Sequence, residues 1–305
     1  MSVRNGLPYL EQTIRSVLAQ TFQDWEFVIV DNASTDGTPE LIDGFARTEA
    51  RIRLLRNTTD LGHSGGLNAG LEHCHGIWVA RIDADDIALP ERLDQQLAFL
   101  RANPDVGVTS CLAYYINAEG KRSGKTFHDL TTREAFAEYM RKDLAIGILH
   151  PGTMIDRQLL QQAGGYREQF GAANDIDLWA RLCEAGAIIL VQDEYLMEYR
   201  IHTQSIIAHD FEEARLQYQW ARDCMRARRH GLTEPSWESY LEERRNAPLW
   251  KRFNRWRKTQ ARRLYRQSAR NAITRHAIRA GIEILGAAVL QPGYTVPRLK
   301  GQILK

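Results

Sequence analysis

The sequence has no apolar run long enough to cross a membrane and no ordered pattern of cysteines. Its best apolar candidate, from Ile282 to Leu290, is shorter than the ~18 residues of a membrane span and contains Glu283. The N-terminus is polar, so we expect no signal peptide. The four cysteines are scattered without a Cys-x-x-Cys pair, which excludes a disulfide framework and a zinc site of the usual spacing. We therefore expect the four cysteines to be reduced thiols in a cytoplasmic protein.

Acidic and basic residues are unevenly distributed along the chain. Residues 211–305 hold 21 Lys and Arg against 8 Asp and Glu, a net charge of +13. Residues 1–210 hold 19 Lys and Arg against 30 Asp and Glu, a net charge of −11. Two parts of opposite charge indicate two roles, so we predict one domain over residues 1–210 and a basic helical extension over residues 211–305.

Apolar residues in the first hundred positions alternate between short β-branched runs and helical spacing. Strand and helix alternate four times, which predicts an open, largely parallel sheet with helices on both faces. In such a sheet, ligands bind beyond the carboxyl ends of the strands. The glycines at 62–70 lack the spacing of a P-loop or of a dinucleotide fingerprint. The predicted helices lie at 8–20, 131–142 and 174–185, and two further helices are predicted, one that begins at 38 and one that ends at about 74. The predicted strands lie at 26–31, 51–56, 77–80, 106–116, 121–127, 187–191 and 195–200.

Three carboxylates, Asp83, Asp85 and Asp86, follow the predicted strand at 77–80. Like charges at the edge of an apolar core are costly unless an opposite charge offsets them. Carboxylates are hard oxygen ligands suited to Mg²⁺ or Mn²⁺, and Mg²⁺ usually completes its coordination with water and phosphate oxygens. The pattern therefore indicates a divalent metal shared with a diphosphate. The alternative is an acidic turn that caps the next helix.

Several short motifs, each weak alone, follow one another in a fixed order over residues 3–205. As an ordered set they resemble the GT-A glycosyltransferases of family 2. The resemblance implies a Rossmann-like α/β fold, with a mixed sheet flanked by helices, as the catalytic domain over residues 1–210. The motifs are Asn5-Gly-Leu-Pro-Tyr-Leu, Val30-Asp-Asn-Ala-Ser-Thr-Asp-Gly-Thr, Leu67-Asn-Ala-Gly, Arg81-Ile-Asp-Ala-Asp-Asp, His150-Pro, Gly164-Gly-Tyr, Asn174-Asp-Ile-Asp-Leu-Trp and Tyr199-Arg-Ile-His.

The resemblance implies an inverting transfer of a sugar from a nucleotide-diphosphate donor to an acceptor hydroxyl. It gives Asp31 a contact to the nucleobase, Asp83 a place by the ribose, and Asp85 the Mn²⁺ or Mg²⁺. Asp175 matches the catalytic base. Burial beside other carboxylates would raise the pKa of this base toward neutrality. The other matched positions are Asn68 and Arg200 for the donor, His202 for the metal or diphosphate, and His150 and Asn174 on the acceptor side.

Three departures from the family pattern stand out. The family begins with a full strand, and here only its end is present, at Val3-Arg4-Asn5-Gly6. The first strand is thus expected to be truncated and donor binding to be weakened. Asn174 replaces the usual Glu, which removes a negative neighbour of the base. Asn32 replaces a usual second Asp, with little expected consequence.

The C-terminal segment combines cations with aromatic side chains. From Lys251 to Arg279 there are eleven Lys and Arg and no acids, interleaved with Trp250, Phe253 and Trp256. This mixture suits an interfacial helix on an anionic membrane. We therefore expect peripheral contact through residues 250–280, at the inner face of the plasma membrane. The alternative is a solvated helix packed on the acidic domain. Nucleic acid is not expected, because no recognition motif is present.

The leading hypothesis is a glycosyltransferase of cell-surface polysaccharide synthesis, with a UDP-sugar as the default donor and a glycan or lipid-linked acceptor. A nucleotidyltransferase could share the sheet and the carboxylate-bound metal, but it would release pyrophosphate. A catalytically inactive donor-binding or scaffold protein would fold without turnover.

Overall fold

A computed structural model of the protein describes residues 1–202, 211–273 and 277–295. These residues form two compact units. The first unit consists of residues 1–202 and 216–234, and the second of residues 211–215, 235–273 and 277–295. The predicted domain boundary at residue 210 lies outside the described residues and stays a prediction.

The first unit opens with alternating strands and helices. Its strand β2 is buried along its whole length because it carries the apolar run that follows Glu26. Three strands pair in parallel in the order β1-β2-β3, with Asp31 opposite both Val3 and Arg56. The elements are β1 (Ser2–Val3), α1 (Leu10–Leu18), β2 (Phe27–Asn32), α2 (Thr38–Ala46), β3 (Ile52–Asn57) and α3 (Gly62–Leu71).

A six-stranded mixed sheet completes this unit. Its centre is β6, which pairs in parallel with β9 and antiparallel with β7 and β8. The strand order is β4-β8-β6-β9-β5, with β7 on β6 alone. The elements are β4 (Trp78–Ala80), β5 (Ile87–Ala88), α4 (Arg92–Ala102), β6 (Val106–Ile116), β7 (Arg122–Lys125), α5 (Arg133–Arg141), β8 (Met154–Asp156), α6 (Arg157–Gln162), α7 (Asn174–Glu184) and β9 (Ile188–Arg200), with 3-10 turns at His150–Gly152 and Glu168–Ala173.

The mixed α/β class is confirmed, but the expectation of one open, largely parallel sheet is wrong. Strand β4 pairs antiparallel with β8, in a different sheet from β2. Among the described residues, the two-residue strand β1 pairs only with β2, and no strand joins the two sheets. A cavity of about 40 Å³, lined by Val28 of β2 and Val79 of β4 among others, lies between them.

Two local predictions also need correction. The glycine-rich stretch is itself the helix α3, because its glycines allow close packing on the parallel strands. A Cβ at Gly66 would lie 2.2 Å from Ser2 Oγ, and one at Gly70 would lie 3.1 Å from Val30 Cγ2. The predicted strands at 187–191 and 195–200 are one strand, β9, which follows β6 through register shifts.

The described part of the C-terminal region is helical. Helices α10 and α11 run antiparallel, since Arg257 donates to the carbonyl of Leu290 and a Cβ at Gly286 would lie 3.0 Å from Leu264 Cδ1. Within the described ranges, no helix is both long and apolar enough to span a membrane. The helices are α8 (Phe211–Arg229), α9 (Trp237–Asn246), α10 (Leu249–Ile273) and α11 (Ala277–Leu290).

Candidate active site

The carboxylates of Asp83, Asp85 and Asp86 converge in the loop between β4 and β5. One oxygen of each of Asp83, Asp85 and Asp86 lies within 4.8 Å of the others. Helix α1 holds this loop, because the buried hydroxyl of Thr13 donates to the carbonyls of Ala84 (2.9 Å) and Asp86 (2.8 Å). The loop backbone is therefore fixed independently of the carboxylate side chains.

The electrostatics of this cluster favour a bound cation. Burial raises the pKa of Asp83, but the charge of Arg81, its hydrogen bond to Asp83 and the effect of other nearby groups together outweigh burial and lower that pKa. Burial and the charge of Asp83 raise the pKa of Asp85. Burial and both neighbouring carboxylates raise the pKa of Asp86 well above its usual range. The buried Asp86 Oδ2 has no hydrogen-bond partner among the described residues. Three converging hard oxygen donors with excess negative charge fit Mg²⁺ or Mn²⁺.

Arg81 is the main site residue that the sequence analysis missed. Its guanidinium is buried, and its Nη1 donates to Asp83 Oδ1 at 2.6 Å. Its Nη2 lies 3.3 Å from His63 Nε2, which must accept because arginine is only a donor. Burial and the Arg81 charge lower the pKa of His63 to about 4, so this ring is neutral. His63 is thus partly buried beside Arg81, whereas His73 and His75 are exposed.

Arg200 and His202 meet the same loop from the end of β9. Arg200 is buried, with Nε donating to the Asp85 carbonyl (2.8 Å) and Nη1 to the carbonyls of Asn117 and Ala118 (both 3.1 Å). Its Nη2 donates to the Gln12 side chain (2.8 Å). Every side-chain nitrogen of Arg200 therefore has a protein acceptor, so this side chain clamps the loop. His202 Nε2 lies 2.7 Å from Asp85 Oδ2. The metal role of His202 stays a prediction.

Asp175 lies in the first turn of α7. Burial raises its pKa to about 6, against hydrogen bonds from the backbone of Ile176 and of Asp175 itself that lower it. Its Oδ1 accepts from the Ile176 N–H at 2.8 Å. Arg81 and Asp83 both act electrostatically on Asp175, so the carboxylate belongs to the same electrostatic cluster. A carboxylate with this pKa can accept a proton near neutral pH.

His150 and Asn68 converge on Tyr166. The His150 Nε2 and the Tyr166 hydroxyl oxygen are 2.9 Å apart. Asn68 exchanges two hydrogen bonds of 2.8 Å with the backbone of Tyr166. The predicted donor contact of Asn68 must therefore coexist with this anchoring of the 150–166 segment to α3. Burial lowers the pKa of His150 well below its usual range, so the ring is neutral.

Asn174 and Asp31 occupy different surroundings from the carboxylate cluster. Asn174 is buried, and its amide donates to Ser64 Oγ at 2.7 Å, which ties α7 to α3. Asp31 is buried one residue before the end of β2, and its Oδ1 accepts from the Ser34 N–H at 3.3 Å. The acceptor-side role of Asn174 and the nucleobase contact of Asp31 stay predictions.

Asn32 has a structural role that contradicts its expected insignificance. Its amide donates to Asp60 Oδ1 (2.8 Å) and to the Gly62 carbonyl (3.1 Å). Its oxygen accepts from the Asn57 side chain (2.9 Å) and the Leu61 N–H (3.1 Å). An amide is required here because a carboxylate has no hydrogen to donate to Asp60.

The structure brings Asp83, Asp85, Arg200 and His202 together at the carboxylate cluster. Asp175 is linked to this cluster through the electrostatic effects of Arg81 and Asp83. The other residues that the motifs identified contact different partners: Asp31, Asn68, His150 and Asn174. The signal that could have identified Arg81 is its position two residues before Asp83, within reach of that carboxylate. Tyr166 belongs to the Gly164-Gly-Tyr motif, but the sequence did not show its contacts, because its partners lie 16 and 98 residues away.

Comparison with models of protein families identifies the family of this chain. The family model described as "Glycosyl transferase family 2" matches residues 1–164, more than half of the sequence. This chain belongs to glycosyl transferase family 2. The resemblance drawn from the ordered motifs is thereby confirmed.

Curated relatives agree with this family. An uncharacterized glycosyltransferase of Methanocaldococcus jannaschii is 28% identical over 194 residues, 63% of this chain and 66% of the relative. The putative teichuronic acid biosynthesis glycosyltransferase TuaG of Bacillus subtilis is 30% identical over 69% of this chain and 81% of TuaG. The WfgD protein of Escherichia coli, named a UDP-Glc:α-D-GlcNAc-diphosphoundecaprenol β-1,3-glucosyltransferase, is 26% identical over 69% of this chain and 78% of WfgD. The chain thus spans about two thirds of the M. jannaschii relative's length.

Solved structures of low sequence identity share the fold. Residues 1–349 of S. aureus TarS, in complex with UDP-GlcNAc, have a TM-score of 0.57 at 15% identity, covering 96% of this chain and 91% of that TarS segment. A mannosyltransferase of Pyrobaculum calidifontis with GDP-Man and Mn²⁺ has a TM-score of 0.56 at 19% identity, covering 99% of this chain and 78% of that one.

Proposed function

We propose that this chain transfers a sugar from a nucleotide-diphosphate sugar to an acceptor hydroxyl, with inversion at the anomeric carbon. The observation that carries the proposal is the convergence of Asp83, Asp85 and Asp86, together with Asp175, a carboxyl group with a pKa of about 6 on which Asp83 acts electrostatically. The first three would bind the donor side, and Asp175 would serve the acceptor. UDP is the default nucleotide, as in the name of WfgD and in the TarS complex.

The proposed acceptor is a glycan or a lipid-linked sugar of cell-surface polysaccharide synthesis. Support comes from the names of TuaG, which refers to teichuronic acid, and of WfgD, which refers to a diphosphoundecaprenol acceptor. His150 would lie on the acceptor side, where a neutral imidazole can hydrogen-bond a sugar hydroxyl without adding charge.

Asp175 would act as the base in one displacement step. Its carboxylate accepts the proton of the acceptor hydroxyl while that oxygen bonds to the anomeric carbon. The bond from the anomeric carbon to the diphosphate oxygen breaks, and its electron pair leaves with the nucleoside diphosphate. A single attack from the face opposite the leaving group inverts the configuration.

Asp85 and Asp86, with help from Asp83 or His202, would hold a Mn²⁺ or Mg²⁺ ion. When bound, such an ion stabilises negative charge that develops on the leaving diphosphate. Arg200 would keep the Asp85 backbone in place through its hydrogen bond to the Asp85 carbonyl. Arg81 would keep the Asp83 carboxylate ionised and oriented toward the ribose.

The first test is calorimetric titration of UDP with Mn²⁺ into the full chain and into Asp85→Ala. We expect Mn²⁺-dependent binding by the native chain and a loss of at least tenfold in Asp85→Ala. Asp193→Ala removes an exposed aspartate and is the matched control. Absence of binding with UDP, dTDP and GDP alike, from a folded protein, would contradict the proposal.

The second test identifies the reaction. With a UDP-sugar and a polyprenyl-diphosphate sugar as acceptor, we expect release of UDP and a product of inverted anomeric configuration by NMR. Release of pyrophosphate would instead identify a nucleotidyltransferase. A product of retained configuration would remove the single-displacement role of Asp175.

A further inference from the structure

The second unit exposes an unusual amount of apolar surface on two neighbouring helices. On α10, Leu249, Phe253 and Trp256 are 78%, 62% and 53% exposed. They are spaced i, i+4 and i+7, so they lie on one face of the helix. The rings of Phe253 and Trp256 stack with centroids 5.7 Å apart, which makes the aromatic surface continuous. Large aromatic side chains seldom remain in water in such a group unless a partner covers them.

Helix α11 also exposes a stripe of apolar side chains, and this stripe carries no charge. Ile282, Leu285 and Val289 are 67%, 67% and 80% exposed at i, i+3 and i+7. The opposite side of α11 is buried, at Glu283 and Ala287, where the two antiparallel helices pack. Packing within the hairpin therefore leaves one apolar stripe of each helix uncovered.

Positive charge surrounds the aromatic stripe of α10. The helix carries nine Lys and Arg and no acidic residue. Arg252 and Arg263 are exposed, and their spacing places them on the same face as Trp256. We call Leu249, Arg252, Phe253, Trp256 and Arg263 the basic aromatic face.

Two further arginines of α10, Arg255 and Arg257, donate hydrogen bonds to uncharged backbone carbonyls. Arg255 donates to the carbonyl of Arg244 at 2.7 Å, and Arg257 donates to that of Leu290 at 2.6 Å. Burial and the charges of Arg262 and Arg244 lower the pKa of Arg215 to about 10. The buried Nε atoms of Arg215 and Arg262 have no hydrogen-bond partner among the described residues. The second unit therefore holds crowded positive charge that an anionic surface would relieve.

We propose that the basic aromatic face docks on an anionic lipid bilayer, with Phe253 and Trp256 in the headgroup region and Arg252 and Arg263 against lipid phosphates. Aromatic side chains favour the bilayer interface, and each basic residue near an anionic leaflet contributes about 1 kcal/mol, roughly fivefold in affinity. A second copy of this chain is a poorer occupant, because a symmetric contact would place the cations of α10 against each other. Docking goes beyond the proposed transfer reaction and does not depend on it.

The test is flotation of the full chain with vesicles of phosphatidylcholine alone and with 30% phosphatidylglycerol. We expect binding only to the anionic vesicles, weakening as salt rises from 0.1 to 0.5 M. Phe253→Ser with Trp256→Ser should lower binding at least tenfold at either salt concentration. Arg252→Glu with Arg263→Glu should lower it at least tenfold at 0.1 M, with a smaller effect at 0.5 M.

Matched controls come from exposed residues of the first unit. Phe127→Ser removes an aromatic that is 70% exposed, and Lys121→Glu reverses an exposed cation. Both should bind vesicles like the native chain. UDP binding should be unchanged in all of these variants, which separates docking from the donor site and reports folding.

Three outcomes would overturn the proposal. The native chain could fail to float with anionic vesicles. The face variants could bind as well as the controls. Finally, light scattering could show an oligomer that Phe253→Ser with Trp256→Ser dissociates, without any vesicle binding, which would assign the face to a second copy.

Discussion

Asp175 is the proposed catalytic base, and the burial that raises its pKa also weakens the fold. Its pKa is about 6 in the folded protein, above the ordinary value of 3.8. Between these two pH values the folded chain binds more protons at this group than the unfolded chain does. The contribution of Asp175 to folding stability is therefore greatest below pH 4 and decreases as the pH rises through 6.

We expect Asp175→Asn to lose sugar transfer while raising the Tm at pH 8. The loss of a base lowers kcat by roughly 10²–10⁴-fold, and removal of the buried charge adds at most about 3 kcal/mol to the free energy of unfolding. At pH 4 the Tm of the variant and of the native chain should nearly coincide. Native kcat/KM should rise with pH to about 6 and then level off. A Tm gain at pH 4 as large as at pH 8 would contradict this account.

Arg81 is expected to act on the donor through Asp83. In Arg81→Gln the Asp83 carboxylate loses its charged hydrogen bond, which is worth roughly 1.5–3 kcal/mol. The donor KM should therefore increase about tenfold or more, with a smaller change in kcat. Arg81→Lys should recover part of the affinity because it keeps the charge. Arg133→Gln, which breaks the exposed pair with Asp105, is the control. Equal effects of the two Gln variants on KM would refute a specific role.

At the scale of elements, the end of β2 and the start of α3 are joined through one side chain. Asn32 makes four hydrogen bonds there, two as donor and two as acceptor. Its donors face Asp60 and the Gly62 carbonyl. The element boundary is thus fixed by the chemistry of the amide group, and the shape of the side chain alone would not suffice.

We expect Asn32→Asp to destabilise the protein although it restores the residue usual in the family. The new carboxylate would face Asp60 and leave the Gly62 carbonyl without its donor, at a cost of about 2–3 kcal/mol. Urea unfolding of Asn32→Asp at pH 7 measures this cost. Asp60→Asn in the same background should recover most of it, because an Asn amide can then donate to the new carboxylate. If the double variant is no more stable than the single one, the hydrogen-bond argument fails.

At the scale of the whole molecule, one buried carboxylate joins distant parts of the first unit. Asp177 is fully buried and pairs with Arg167, Arg181 and Arg228. Arg228 lies in the last turn of α8, and it also pairs with Glu234 at 2.6 Å. The residues at 216–234 are therefore tied to α7 by charge as well as by packing.

We expect Asp177→Asn to be strongly destabilising, because three partly buried arginines lose their shared anion. Breaking a buried pair of this kind costs roughly 3–5 kcal/mol, and a loss of this size lowers the Tm by roughly 10 °C. Thermal unfolding of the full chain measures it. Asp223→Asn breaks a half-exposed pair with Arg222 and should leave the Tm nearly unchanged. Similar losses in both variants would show that the network has no special weight.

Features that depend on neighbouring residues were predicted from the sequence, whereas a feature that depends on pairing between distant segments was not. The helix at 8–20 and the strand at 26–31 were predicted from periodicity, because burial of one face is written into neighbouring residues. The Asp83–Asp86 cluster was predicted for the same reason, since its carboxylates are adjacent in the chain. The split into two sheets was not predicted, because pairing of β4 with β8 joins segments that lie some 75 residues apart.

By itself, the sequence determined the family, the alternating elements of the first unit, the carboxylate cluster and the basic C-terminal helices. Each of these follows from short-range patterns of residue type. Only the tertiary structure decided that Arg200 holds backbone carbonyls, that Arg81 and His63 meet at the site, and that Asn174 bonds Ser64. Side-chain direction and long-range closure set these contacts, and neither is encoded in the spacing of residues along the chain.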